Sequence, residues 1–310
     1  MNPSTASRTA LATSLMRALH SRSDPVPLLS DTWGDRLVPE SAKAALRQLA
    51  MERIAKAKPG VILDGVEGLE LGLRSNAAYA DVILRSRYME DALKEAVARG
   101  IRQYVIIGAG FDSFICRRPA WAAGVTIIEV DHPSTQRLKR ERLAACGVAL
   151  PRSVEFVEAD LSMESLGSAL ARSSFRVDHL TFFSWLGVTM YLTREANLNA
   201  LRSIATCAPA GSQLVFTYVD EAVLSPDQAS DESFRRLMTD VSAAGEAFRS
   251  GFDVQTMSKK LLETRLLLLE DVDGDQAASR YDPEGQNAFR TAAAAHIVHA
   301  RGTGPDRPQK

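Results

Sequence analysis

The 310-residue sequence predicts an α/β protein. Its framework is a doubly wound, mostly parallel sheet of seven strands, fronted by an N-terminal helical cap and carrying a late lid insertion. Three observations carry this. Apolar residues in the N-terminal third recur at helical spacing. From residue 103 onward, short apolar runs alternate with helical stretches. The first of those runs, "QYVIIG", breaks off in Gly108-Ala109-Gly110, as a ligand-binding strand does in many doubly wound sheets.

The elements follow in order. Leu11, Leu15 and Leu19 lie four residues apart, the spacing of one helix face. Ser21 to Asp31 is a proline-bearing break. Ser41 to Lys58 is rich in strong helix formers and stops at Pro59-Gly60. Arg85 to Gly100 is a further helix, with Gly100 as its C-terminal stop. Strands follow at "QYVIIG", Val125 to Asp131, Val154 to Asp160, His179 to Trp185 and Ser212 to Asp220. The helical stretches between them imply βαβ units. Thr264 to Val272 and Ala295 to Gly302 read as two more strands joined by a loop-rich connection. The chain divides into a cap over 1–84 and a core over 85–310, with the lid at about 221–252, all in one structural unit. The tail from Gly302 reads as frayed.

Composition excludes several function classes. The chain is 45% hydrophobic and 24% charged, which suits a soluble globular protein. A formal net charge of −1 gives no bulk attraction to nucleic acid or to an anionic membrane. Cys116, Cys146 and Cys207 are far apart and form no Cys-x-x-Cys pair. That fits a reducing cytoplasm and argues against disulfides or zinc. Arg8 and Arg17 interrupt the N-terminal segment, which therefore does not read as a signal peptide, and no segment is apolar enough to span a bilayer. The expectation is a cytoplasmic protein with a small-molecule partner, no nucleic acid, no membrane and no metal; a homodimer is open.

Ligands of doubly wound sheets bind beyond the strands' C-terminal ends, so the residues there are the site candidates. Gly108 and Gly110 allow close backbone approach. A dinucleotide fingerprint needs a third glycine where Ser113 stands, which weakens a nicotinamide reading. Glu129 and Asp131 end the second strand and, two apart, point the same way. One suits ribose while the other supports it; Asp131 reads first as the ribose acceptor and alternatively as a cap for the helix opening at Pro133. Asp160 ends the third strand, either as acceptor for an adenine amine beside Leu161 or as a helix cap. Trp185, Met190 and Tyr191 crowd the end of the fourth strand around Gly187, with no acid or base among them. Asp112 either orders its turn or leans towards a ligand amino group.

Read together, "RSRYMEDAL", "GAGFDS", "EVDHP", "VEAD", "WLGVTMYL", "GEAFRSGFD" and "AHIVHARG" resemble the leucine carboxyl methyltransferase-like family, including its bacterial polyketide O-methyltransferase branch. The likeness covers most of the chain. It implies a Rossmann-like methyltransferase fold and S-adenosyl-L-methionine as cofactor. It further implies that Arg85, with Arg87 as near alternative, grips the methionine carboxylate. Gly108 and Gly110 lie by the methionine moiety, Asp131 at the ribose, and Asp160 and Leu161 at the adenine. Leu186 stands where many members carry an acidic residue before "GV", which moves the likeness towards small-molecule methylation.

The expected reaction is in-line methyl transfer to an oxygen of a polyketide-like or other metabolite. A carboxylate acceptor is already ionised at neutral pH and needs no base, in keeping with the base-free site. A hydroxyl acceptor needs proton removal, for which His20, Tyr218 or Glu246 is available; Tyr191, Tyr218 and Glu246 are the acceptor-pocket candidates. The rivals are an NAD-dependent oxidoreductase and a non-catalytic S-adenosylmethionine-binding protein. Two apparent metal motifs are discounted. His296 and His299 fall on opposite faces of a strand. Asp271 to Asp282 lacks the glycine and glutamate positions of a calcium loop and reads as a solvated loop.

Overall fold

The computed structural model describes residues 7–57, 60, 63–224, 232–243, 245–292 and 294–304. Five helices lead: α1 (Arg8–Ser23), α2 (Gly34–Leu37), α3 (Glu40–Ala57), α4 (Gly65–Arg74) and α5 (Tyr79–Ala98). The α/β alternation then runs β1 (Gln103–Ile107), α6 (Phe114–Arg117), β2 (Thr126–Asp131), α7 (Pro133–Ala145), β3 (Val154–Glu158), α8 (Leu166–Leu170), β4 (Thr181–Trp185), α9 (Arg194–Cys207) and β5 (Gln213–Val219). The chain ends in α10 (Glu232–Ala243), α11 (Met257–Glu263), β6 (Leu266–Asp273), α12 (Gly274–Tyr281) and β7 (Ala295–Gly302).

One sheet holds all seven strands in the order β3-β2-β1-β4-β5-β7-β6. Pairing is parallel from β3 through β5, and β7 runs antiparallel to both β5 and β6. The chain reverses direction of growth between β1 and β4, which makes that crevice the switch point. Because β7 is antiparallel, its first residues lie beside the C-terminal end of β5, with Ala295 opposite Val219. The central strands β1, β4 and β5 are buried throughout, as parallel strands covered on both faces are. Alternation sends Tyr104 and Ile106 to the core under α5, and Val105 and Ile107 to the core under α8 and α9.

Two expectations change. The helix bearing Arg85 begins at Tyr79, so the 84/85 border falls inside α5. The connection between the last two strands carries α12 rather than loop alone. There the Asp273 side chain accepts from the Gln276 amide (2.8 Å) and Gln276 Oε1 accepts from the Asp273 amide (3.1 Å). This capping box starts a helix where Asp271 to Asp282 reads as a solvated loop. Helix α4 also went unassigned from sequence, because its glycines mask a helical run. A Cβ on Gly68 or Gly72 would collide with Met51 or Ala50 of α3, so these glycines set the close approach of the two helices. Of the expected lid, 225–231 and 244 lie outside the described residues, as do 305–310 of the tail. No helix among the described residues is long and apolar enough to cross a membrane.

Under the sheet's binding edge, Lys139 of α7 pairs with Glu129 of β2 at 2.6 Å, with side-chain exposures of 1% and 0%. Burial pushes the Glu129 carboxyl up to about 7, against the pull of Lys139. Removing one member of such a pair leaves an uncompensated buried charge. Lys139→Ala is expected to cost about 3–5 kcal/mol in denaturant unfolding, and Glu129→Leu with Lys139→Met to cost clearly less. Equal losses would show that the pair stabilises by its own attraction.

Candidate active site

A cleft of about 210 Å³ opens over the C-terminal ends of β1 to β4, roofed by the start of α1. Arg85, Gly108 and Gly187 bound one end; Gly110 and Asp131 lie in the middle; Asp160 and Leu161 bound the other. Asp112, Trp185 and Tyr191 also line it. One cleft therefore gathers most of the residues singled out from the sequence as cofactor contacts, together with Tyr191. Glu129, Tyr218 and Glu246 do not reach it.

The turn after β1 explains its glycines. Gly108 and Gly110 have φ of +65° and +50°, a left-handed region that costs glycine little. A Cβ on Gly108 would come within 2.5 Å of Val188 Cγ2, and one on Gly110 within 3.0 Å of Ala10 Cβ in α1. The Gly110 amide donates a short hydrogen bond to Asp131 Oδ2, and the His132 amide donates to Asp131 Oδ1 at 2.6 Å. Each carboxylate oxygen thus keeps a free lone pair. Burial raises the Asp131 pKa while the two amides oppose it. The cap of α7 is His132, whose side chain accepts from the Ser134 amide, so Asp131 is not the cap. At the third position of the fingerprint, buried Ser113 accepts from Arg117 Nε at 3.0 Å.

The other strand ends are also explicit. Asp112 Oδ1 accepts from the Phe114 amide at 2.7 Å, which orders the entry to α6. Asp160 accepts from the Ser162 amide (2.9 Å) and hydroxyl (2.6 Å), and the cap of α8 is Ser165 instead. Trp185 is fully buried, with its ring on Phe216 at 6.3 Å between centroids. Arg85 projects from α5 against Gly187, whose φ is +67°; a Cβ there would sit 2.6 Å from Arg85 Nη2. Among the described residues, no hydrogen bond or ion pair engages the Arg85 guanidinium. Arg87 pairs instead with Asp91 at 2.7 Å.

A second, smaller chamber of about 80 Å³ adjoins the Arg85 end and shares Thr9, Thr13, Arg85, Gly187 and Tyr191 with the cleft. Met190, Phe234, Leu237, Val241 and Phe248 make it largely apolar. The acceptor-pocket candidates fare differently here. Burial pushes the Tyr191 hydroxyl up to about 12, so it stays protonated at neutral pH. Tyr218 borders the chamber, but its hydroxyl donates to Asp271 at 2.8 Å and burial raises its pKa. Glu246 is buried behind α1, accepting from the Thr9 amide at 3.2 Å and from the Thr9 hydroxyl. His20 borders neither space; its ring nitrogens meet Asp24 (2.5 Å) and the Leu28 amide (2.7 Å).

Sequence reading expects the N-terminal helices to roof the acceptor pocket but names none of the residues that line the site from α1 or from the start of α5. Thr9, Thr13 and Arg17 all line the cleft from α1. Arg17 is buried, paired with Asp31 at 3.0 Å and donating to the Phe111 carbonyl at 2.7 Å. The signal was present: an arginine within an apolar helical segment. Asp81, one turn before Arg85, lines the chamber.

Comparisons with known proteins show the family. The family model described as leucine carboxyl methyltransferase matches residues 10–205. The chain is 28% identical over 311 residues to YktD of Bacillus subtilis, whose name describes an S-adenosyl-L-methionine-dependent methyltransferase; the match covers 97% of this chain and 99% of that one. A Mycolicibacterium smegmatis protein with the same description is 30% identical over 70% of this chain and 68% of its own. A solved DUF574 family protein from Streptomyces avermitilis shares the fold, with a TM-score of 0.54 at 16% identity over 82% of this chain and 90% of that one. The chain belongs to the leucine carboxyl methyltransferase family and is an S-adenosylmethionine-dependent methyltransferase.

Proposed function

We propose that this enzyme is an O-methyltransferase whose acceptor is a small, largely apolar metabolite of polyketide-like character, held in the chamber beside Arg85. The acceptor oxygen belongs to a carboxylate or a hydroxyl. The observation that carries the reading is the unpaired Arg85 guanidinium at the junction of the cleft and an apolar chamber. Burial lowers its pKa, with Asp81 opposing, and a buried cation of this kind calls for an anionic partner.

The cleft's donor set fits S-adenosylmethionine. The planar Arg85 fork suits the methionine carboxylate. Left-handed Gly108 and Gly110 leave the backbone bare where the methionine chain would pass. The free lone pairs of Asp131 suit ribose hydroxyls, and Asp160 with Leu161 suits the adenine end. Asp112 faces the cleft with one oxygen engaged by the Phe114 amide, leaving the other for the cofactor's amino group. Glu129 is not part of this set: its ion pair with Lys139 supports the strand below.

When bound, S-adenosylmethionine supplies an electrophilic methyl group on a positively charged sulfur. The chain's own work is positional. Met190, Phe234 and Phe248 would hold the acceptor and exclude water, while Arg85 and Gly187 set where the cleft meets the chamber. Holding reactants in line can supply about 7–11 kcal/mol of the barrier. Leu186, an apolar residue at the mouth, is in keeping with a small apolar acceptor rather than a peptide tail.

Three outcomes test the reading. S-adenosylmethionine and S-adenosylhomocysteine should raise the melting temperature, and NAD should not; a shift with NAD alone would favour an oxidoreductase. Arg85→Ala should weaken S-adenosylhomocysteine binding by about 1.5–3 kcal/mol in calorimetry, the worth of a hydrogen bond to a charged group, with the fold intact. Asp131→Ala should weaken adenosine as well as S-adenosylhomocysteine. If only the latter suffers, Asp131 is not the ribose acceptor.

A further inference from the structure

We propose that Asp81 is a catalytic residue of the acceptor chamber: it takes the proton of a hydroxyl acceptor, so the product is a methyl ether rather than a methyl ester. This rests on the methyl-transfer reading above and narrows its substrate class.

Asp81 lies in the first turn of α5, four residues before Arg85, so both face the same side of the helix. Both line the chamber. Its carboxylate is buried, and Oδ1 has no hydrogen-bond partner. The Ala292 backbone amide supports the carboxylate. Opposite stands Gly274, the first residue of α12; a Cβ there would lie 2.9 Å from the Ala292 carbonyl and 3.4 Å from Asp81 Oδ1. The glycine therefore keeps space open beside the unpaired oxygen. A buried carboxylate oxygen left unpaired is costly, and among the described residues no hydrogen bond to Oδ1 offsets that cost. A ligand hydroxyl in the chamber would.

The neighbouring charges select the acceptor. A carboxylate acceptor would sit against Asp81, with Glu246 close behind Thr9, and Arg85 is the only arginine or lysine lining the chamber among the described residues. In the cofactor reading, Arg85 already holds the methionine carboxylate. An ammonium acceptor would face that same Arg85. A neutral hydroxyl meets neither repulsion. The other titratable groups facing this region do not substitute for Asp81. The Tyr191 hydroxyl stays protonated, and the His296 ring is stacked on Tyr218 with Nδ1 on Asp271 at 2.9 Å. Burial raises the Asp81 carboxyl to about 7, with Arg85 and the Ala292 amide opposing and Asp275 adding to the rise. That range suits a general base near neutral pH.

In the step, the acceptor O–H bond breaks and its proton passes to an Asp81 oxygen. The acceptor oxygen's electron pair forms the bond to the methyl carbon. The methyl–sulfur bond breaks with its pair kept by sulfur, which loses its positive charge, and Asp81 releases the proton to water.

The test is Asp81→Asn in the full chain. Calorimetry should give S-adenosylhomocysteine affinity within about twofold of wild type, since Asp81 does not line the cofactor cleft. With that ligand bound, wild type should take 4-methylphenol about tenfold more tightly than 4-methylbenzoate, and the variant should lose that preference. With both probes offered together, label transferred from methyl-labelled S-adenosylmethionine should resist alkali, as an ether does and an ester does not. A readout free of turnover is stability against pH. A carboxyl whose pKa is raised on folding favours the fold below its unfolded value near 4 and loses that contribution up to about 7. The variant's melting temperature should therefore gain on wild type between pH 5 and 7. The proposal is overturned if wild type prefers 4-methylbenzoate or binds neither probe, if the label is alkali-labile, if the variant keeps its phenol affinity, or if the melting curves run parallel. Failure of wild type to bind S-adenosylhomocysteine would instead strike the cofactor reading.

Discussion

The hydrogen bond from the Gly110 amide to Asp131 is the contact on which the site depends. It ties the turn after β1, the strand on one side of the switch crevice, to the end of the neighbouring strand β2. Only a left-handed residue at 110 aims the amide this way, and only a residue without a Cβ leaves room for Ala10 of α1. The same glycine thus holds a cleft carboxylate in position and seats the helix that roofs the cleft. With α1 seated there, Thr9, Thr13 and Arg17 are brought over the strand ends.

Burial then sorts the charges. Glu129 finds Lys139, and Arg17 finds Asp31. These pairs support the floor and the roof. Arg85 and Asp81, one helical turn apart on α5, have no such ion-pair partner among the described residues, and both face enclosed space. Structural pairs cancel charge inside the fold, whereas groups held unpaired at a cavity wall are kept for something that enters it. Helix α5 is suited to carry them because it packs directly on the central strands and is rigid along its buried face.

Much of the fold and part of the site were legible in the chain. The parallel strands β1 to β5 read as short apolar runs, and so do the antiparallel strands β6 and β7, so all seven were found. Helix α12 was missed because its acidic start imitates a loop, although Asp273 and Gln276 have the spacing of a capping box. Tyr218 and Glu246 carry polar groups near the expected pocket, but their partners Asp271 and Thr9 are distant in sequence. No local pattern reveals that those groups are already engaged. Asp81 was missed because the helix reads as starting at Arg85, which leaves Asp81 outside it, and only the packing of α12 and Ala292 around it makes it a buried one.

Arg85 was singled out by the family resemblance alone; by itself, the sequence determined the strand and helix alternation, the glycine turn, and the strand-end residues Asp131, Asp160 and Leu161. These depend on periodicity and on strand-end positions, which are local properties of the chain. Tertiary structure alone decided which polar groups are free. It paired Glu129 with Lys139, closed α1 over the cleft, and left Arg85 and Asp81 facing a shared chamber. The physical reason is that whether a buried charge finds a partner depends on contacts between residues far apart in the chain, and those contacts exist only once the helices pack on the sheet.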